Sequence, residues 1–484
     1  MTKVRQSLIF LFTLNTLTAW AQNDLTLSFM ENIYQATFVN PAAIPVYKVS
    51  LGLPIISSVG MQVTNTGFSY GDLIQKDGRY TNDSLRGNIG NAYQKLDDQN
   101  YLYAGFETDL FHLRVKARHY YISVFSQISS KFRYSYPANF MDLVVNGNGN
   151  KIGQNIEFKN LGADYDLYST IGVGLAKEWK HWVIGTNLKY LNGIANINFD
   201  PGRTSGVRFS DDFFAFQSLS NMTVNSSGLA EDLNPESFTN NYKNDNGSVT
   251  PNSVLNKIDL TKNPGAAIDL GITYKYNDKW HFTFSVLNFG FINWKSDVYN
   301  RKIYGGKDFS GFDVFGYFLR GESKPDAEAE SEFKNAFQYT TTQKSYRKWL
   351  VPQFYLSAKY NITYKTHIGL MTYWEYYKKW RPAFTLSIYH KFGRVFNIVG
   401  TYSIQYKRFD NIGLGIMAKL GPCQFYVGGD NIVAPLVRAM FDGFQIGDKA
   451  VNPVKTFNVR VGMNLVFGGF TQPSKQAYEF KETK

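Results

Sequence analysis

The chain has 484 residues, a formal net charge of +12, 17% aromatic and 19% charged residues, and a mean hydropathy of -0.29. A single cysteine, Cys423, excludes an intramolecular disulfide, and beyond the N-terminus no apolar run reaches the roughly 18 residues of a membrane helix. An exported chain without a basic cluster is no nucleic-acid binder, and what remains is the profile of a transmembrane β-barrel or, in part, of a secreted β-sandwich.

The N-terminus, MTKVRQSLIFLFTLNTLTAWAQ, has a basic start (Lys3, Arg5), an apolar centre and Ala19-Trp20-Ala21 before Gln22. This is the pattern of a secretory signal with a cleavage site after residue 21. The expected organisation is a signal peptide over 1–21, an N-terminal segment over 22–47, a barrel over 48–468 and a tail over 469–484. Within the N-terminal segment, Pro41 fixes its own φ and pushes Asn40 to an extended shape, and Asn40 can bond nearby backbone. That suits a segment folded back into a barrel lumen; the other reading is a plain turn into the first strand. Asn40, Pro41 and Ala42 are therefore the plug candidates.

The rest of the chain is dominated by alternation of period two. Ile268, Leu270, Ile272, Tyr274 and Tyr276 alternate with Asp269, Gly271, Thr273 and Lys275. Beyond Asn277-Asp278, Trp280, Phe282, Phe284 and Val286 continue the pattern. It recurs at Ile171–Leu175, Phe384–Ile388, Phe396–Tyr406 and Phe457–Phe467. Candidate strands lie at about 57–69, 101–115, 118–132, 168–178, 181–196, 265–276, 280–292, 350–361, 366–376, 382–392, 395–406, 410–420, 423–431 and 455–467. The expected fold is all-β, an antiparallel transmembrane barrel of about 14 strands (range 12 to 16) with a plug-like N-terminal segment.

The connections support this. With the last strand ending in the periplasm, the periplasmic turns fall at 116–117, 178–180, 277–279, 361–365, 393–394 and 421–422, all of them short. The outside loops fall at about 70–100, 133–167, 197–264, 293–349, 377–381, 407–409 and 432–454, a set that holds every long connection. Segregation of this kind marks bacterial barrels. It places Leu270, Ile272, Phe284, Val459, Val461 and Met463 against lipid, with Tyr276, Trp280 and Trp294 in the interfacial girdle. Asp269, Lys275, Asn458 and Arg460 become lumen candidates, either selecting solutes or holding the barrel together by internal pairing. A lumen position at Asn458 is expected to stay hydrated, so that arginine there should be milder than at Val461. In the loops, 325–335 reads as a short acidic helix, 220–262 as an exposed Asn/Ser-rich loop, and Asn139–Val145 as a short apolar helix packing at the barrel mouth or marking a ligand entry.

No catalytic or metal chemistry is legible. The six histidines show neither HExxH nor Cys spacing, there is no GxSxG elbow, and Gly147–Gly153 follows no strand-then-helix pattern. No cofactor is expected, and the chain reads as a non-enzyme.

Val39–Pro54, VNPAAIPVYKVSLGLP, with Asn-Pro-Ala just ahead of the first strand, resembles the N-terminal segment of FadL-type barrels and of the PorV, PorQ and PorP/SprF barrels linked to type IX secretion. Together with Asn65–Leu73, Ala266–Trp280, Leu287–Trp294 and Leu420–Ile432, the stretch is more closely similar to an outer-membrane barrel family of the Bacteroidetes whose function is unknown. That resemblance implies a barrel in the outer membrane but no substrate. The FadL likeness implies a plug and passage of small hydrophobic molecules. The type IX likeness implies a structural or accessory role among other envelope proteins. Lipids of the outer membrane are the expected surroundings in either case.

Overall fold

The computed structural model describes residues 25–68, 72, 74–76, 85–87, 89–147, 149–200, 206–209, 215–218, 221–228, 261–304, 308–310, 338–393, 395–405, 408–431 and 455–469. The expected signal peptide, the acidic helix at 325–335, most of the 220–262 stretch and most of the C-terminal tail lie outside these residues.

Fourteen antiparallel strand positions close into one barrel. In chain order they are β1 (Tyr47–Gly52 and Val59–Asn65), β2 (Gln99–Ala117), β3 (Tyr120–Pro137), β4 (Gly162–Trp179) and β5 (Trp182–Asp200). Next come β6 (Asn221–Ser227 and Pro264–Lys275), β7 (Trp280–Trp294 and Val298–Tyr304) and β8 (Gln338–Thr342, Tyr346–Trp349 and Gln353–Asn361). The last are β9 (Thr366–Tyr377), β10 (Lys379–Phe392), β11 (Phe396–Gln405), β12 (Arg408–Leu420), β13 (Cys423–Gly429) and β14 (Thr456–Gly469). Each strand pairs with its sequence neighbours. The ring closes where β1 pairs with β14 (Val49↔Phe467, Val59↔Val461) and with β2 (Val49↔Val115, Val59↔Thr108). Closure leaves no unpaired edge, the condition for strands in hydrocarbon.

The expected alternation sets the faces. Leu270, Phe284 and Val461 point outward and are 50%, 42% and 43% exposed, while Asp269, Ser285 and Asn458 point inward and are buried. The short turns gather at one end and the long connections at the other.

The structure corrects the sequence reading in three places. First, β1 begins at Tyr47, ahead of the expected 57–69, and is broken by residues 53–58. Ile55 takes a left-handed φ of 66°, so Leu53, Ile55 and Ile56 are thrust outward. The break does not open the wall: Ile55 N–H donates to Asp109 O, and Met463 N–H to Ile56 O. Second, β6, β7 and β8 run on into the expected loops 197–264 and 293–349, where 221–227, 298–304 and 338–342 pair beyond the barrel's main body. Third, Trp294 is no girdle residue. At Asn288 the backbone is left-handed (φ 58°) and the β6–β7 register shifts, so one extra residue reverses the alternation. Val286 points outward, but so does Phe289, and Trp294 is carried inside, fully buried among Tyr168, Leu191, Ala267 and Ile292. Tyr276 and Trp280 remain on the outer face.

Above the rim at the long-connection end, Ala138–Asn146 forms the helix α1, which packs Leu143 on Ile156 and Phe209. The helix is thus a packing element of the loop layer.

Candidate functional site

The lumen wall is polar over much of its surface, with an apolar patch on one half. Strands β2 to β6 face it with polar and charged side chains, among them Asp109, Lys131, Arg133, Asp166, Asn187 and Asp269. Strands β8 to β13 add to polar residues such as Glu375, Thr385 and Ser403 the patch of Tyr355, Met371, Tyr373, Val399 and Met417. That patch needs an apolar partner, and the N-terminal segment supplies it. Leu25, Leu27, Phe29, Met30 and Ile33 fill that side in one cluster with the strand residues.

Residues 25–46 cross the lumen with two short 3-10 turns, Leu27–Phe29 and Tyr34–Phe38, and are tied to strands all round. At the start, Asp430 accepts from Leu25 N (3.0 Å), Thr26 N (3.0 Å) and Thr26 Oγ1 (2.6 Å). Glu31 pairs with Lys359 Nζ at 2.6 Å. Burial works to raise the Glu31 pKa, but Lys359, with His367 and His281 behind it, holds it down at about 2. Asn32 donates to Tyr389 Oη at 2.6 Å. Tyr34 stacks on His112 with ring centres 3.8 Å apart, and burial raises its phenol pKa. Gln35 donates to Ser57 O and Asn464 Oδ1, both at 3.0 Å, and accepts from Asn464 Nδ2 at 2.9 Å. Ser285 donates to Val39 O at 2.7 Å, and Arg114 to Ala43 O at 2.8 Å.

The Asn40-Pro41-Ala42 step sits on the polar half. Asn40 Oδ1 accepts from Ala42 N at 2.9 Å, an Asx turn, and Asn40 Nδ2 reaches Thr273 Oγ1 at 3.4 Å. Beneath it, Gly185 of β5 and Gly271 of β6 are direct cross-strand partners. A Cβ on Gly185 would stand 2.3 Å from Pro41 O, and one on Gly271 would stand 2.4 Å from Asn40 Oδ1. Two paired glycines thus make a dent in the inner wall that admits the backbone of the turn.

The segment divides the remaining space. On the short-turn side lies a chamber of about 360 Å³ bounded by Phe29, Glu31, Ile44, Lys275, Lys359 and Met371. On the long-connection side a smaller pocket of about 70 Å³ is bounded by Tyr34, Phe38, Lys131, Asp269 and Gln353. Between them run Tyr34 to Asn40. Above the pocket, Arg381 lies 3.4 Å over the Tyr101 ring, and Lys348 bridges Asp164 and Asp166 at 3.0 and 2.9 Å.

The four lumen candidates all face inward, and they are not brought together. Asp269 is buried against Lys189 (2.6 Å), Asn187 (3.1 Å) and Asn288 N (2.8 Å). Lys275 bonds Glu178 at 2.5 Å and alone of the four lines the larger chamber. Arg460 bridges Ser58 (3.0 Å) and Glu107 (2.9 Å). Asn458 is buried and donates to Asp430 at 3.3 Å, so the expectation of a hydrated position there is corrected. Sequence reasoning missed Asp430, Glu31, Lys359 and the two glycines. Gly185 and Gly271 did carry a signal, since glycine inside a strand pattern marks a bulge or a close approach. Among the described residues no group of three His, Cys, Asp or Glu side chains could hold a metal ion.

Residues 41–430 match a family described as "Family of unknown function (DUF5723)", and the chain belongs to that family. No curated protein matches it. Among solved structures it is similar to the P. putida toluene transporter TodX, at 9% identity over 94% of this chain and 97% of that one, with a TM-score of 0.39. A Pseudomonas aeruginosa FadL homologue is similar at 8% identity over 93% and 100%, with a TM-score of 0.40. The translocator domain of the autotransporter NalP from Neisseria meningitidis follows at 7% identity over 90% and 93%, with a TM-score of 0.30.

Proposed function

For a member of a family without an assigned role, we propose an outer-membrane barrel closed at rest by residues 25–46 and gated for the passage of small, largely apolar molecules. The observation that carries this reading is the seated segment itself. It crosses the lumen, separates two spaces and is fixed by bonds to Asp430 just past β13, to Ser57 in the break of β1, and to β8, β10, β14, β7 and β2. The outward belt of Leu270, Phe284, Val461 and their neighbours supports a membrane setting, and the expected signal peptide supports export. The chamber at the short-turn end is of the size that holds a small molecule. Its walls mix Phe29, Val39, Ile44 and Met371 with the Lys275–Glu178 and Lys359–Glu31 pairs, which suits an apolar body with one polar end.

A second reading, a scaffold barrel for other envelope proteins, is favoured by the density of bonds that hold the segment, since a plug that moves must give them up. Two measurements separate the readings. In planar bilayers the wild type should be nearly silent, and deletion of residues 25–46 should open a steady conductance. In liposomes, a gated transporter should carry an apolar fluorescent probe such as N-phenylnaphthylamine inward, and a scaffold should not. A large steady conductance from wild type, unchanged by the deletion, would falsify the plug.

A further inference from the structure

On the outer face of the short-turn rim, cations gather around two neighbouring turns. Where β2 turns into β3 and β4 into β5, the left-handed turn positions are filled by Arg118 (φ 55°) and Lys180 (φ 53°). Glycine or asparagine would adopt that backbone more readily. Lys177 points outward beside them, in register with Tyr120 of β3. None of the three has a carboxylate partner among the described residues. The nearest acid in sequence, Glu178, faces the other way and is taken by Lys275.

The same patch is aromatic. Lys177 Nζ lies 5.1 Å over the Tyr120 ring and Lys180 Nζ 5.8 Å over the Trp179 ring. Trp179 is 58% exposed, and Trp182 lies against Tyr274 with ring centres 4.4 Å apart. Trp and Tyr at this density mark the depth at which hydrocarbon gives way to headgroups. Directly toward the barrel's middle the wall is aliphatic and outward: Ile122, Val173, Leu175 and Ile184. A cationic cluster at headgroup depth, an aromatic layer and an apolar wall follow one another along the strands. An anionic phospholipid presents phosphate, glycerol and acyl chain in the same order.

We propose that Arg118, Lys177 and Lys180, over Tyr120, Trp179 and Trp182, form a binding site for the headgroup of an anionic phospholipid in the leaflet at the short turns. The occupant is a lipid because the apolar wall continues below the cations; a soluble acidic partner would leave that wall unused. The site rests on the membrane reading of the barrel. It does not depend on the plug or on transport, since all six residues are on the outer surface.

The test uses the full chain in nanodiscs of phosphatidylcholine with a minor share of phosphatidylglycerol, with native mass spectrometry of the retained lipids. One basic residue near an anionic surface is worth about a fivefold preference. The wild type should therefore retain phosphatidylglycerol over phosphatidylcholine by fivefold or more, with the preference fading as salt rises. The triple variant Arg118→Gln, Lys177→Gln and Lys180→Gln should lose it. Lys378→Gln with Lys379→Gln, at the opposite rim, should keep it. Heat-modifiable migration of each variant reports the folded barrel separately. A barrel that never enters the nanodisc removes the membrane reading and this site with it. A barrel that enters but shows no headgroup preference, or one that the triple variant retains, overturns the site alone.

Discussion

The seat of the Asn40-Pro41-Ala42 turn can be tested by adding one methyl group. In Gly185→Ala the new Cβ would lie 2.3 Å from Pro41 O and 2.6 Å from Ala42 N, where ordinary contact begins at 3.4 Å. Backbone stands in the way rather than the end of a flexible side chain, so the turn must lift by about 1 Å. Overpacking of this kind costs about 1–3 kcal/mol. The entropy of the unfolded chain does not enter, because strand β5 is folded in both the seated and the unseated state. The seated state should therefore lose about 1–3 kcal/mol, a shift of about 5–150-fold toward the unseated one. In planar bilayers this should appear as brief openings about 5–150 times more frequent than in wild type, while heat-modifiable migration stays intact. The control is Gly400→Ala, whose Cβ would meet only Ile388 Cγ2 at 3.5 Å and should leave conductance unchanged. If Gly185→Ala opens no more often than wild type, or no more often than Gly400→Ala, the dent does not hold the segment and the reasoning fails.

Asp430→Ala should strip partners from Leu25 N and Thr26 N, at about 1–3 kcal/mol for each buried group left unpaired. Hydrogen exchange over residues 25–30 should then accelerate while strand amides stay protected. Glu31 titrates below its ordinary range, so its contribution is complete above about pH 4.5 and is lost as pH falls through about 2. Because its side chain is 38% exposed, the effect is modest. Protection of the segment should weaken between those values in wild type and show no such step in Glu31→Gln. Val461→Arg, on the outer wall, should cost about 2–4 kcal/mol at mid-bilayer depth and reduce the heat-modifiable fraction; an unchanged fraction would argue against lipid contact there.

The strand content, the count of fourteen and the gathering of short turns at one end were legible in the sequence. Each depends on alternation and turn chemistry acting within a few residues, and consecutive antiparallel pairing turns such local signals directly into a barrel. Side-chain direction was legible for the same reason along β6 and along β7 as far as Val286. It failed beyond Asn288, because a one-residue bulge in β7 sends Trp294 inward and no local pattern announces it. The Asn40-Pro41-Ala42 step was visible as a turn of unusual composition, but its seat was not. Gly185 and Gly271 lie 86 residues apart and become one dent only through the β5–β6 register. Asp430 meets Leu25 across 405 residues and Glu31 meets Lys359 across 328. Asp269, Lys275, Asn458 and Arg460 were recognisable as inward-facing, since parity decides that. That Asp269, Asn458 and Arg460 are spent on internal bonds and only Lys275 borders the larger chamber was decided by partners supplied from other strands and by the segment that fills the lumen. Contacts between residues hundreds of positions apart exist only once the ring has closed.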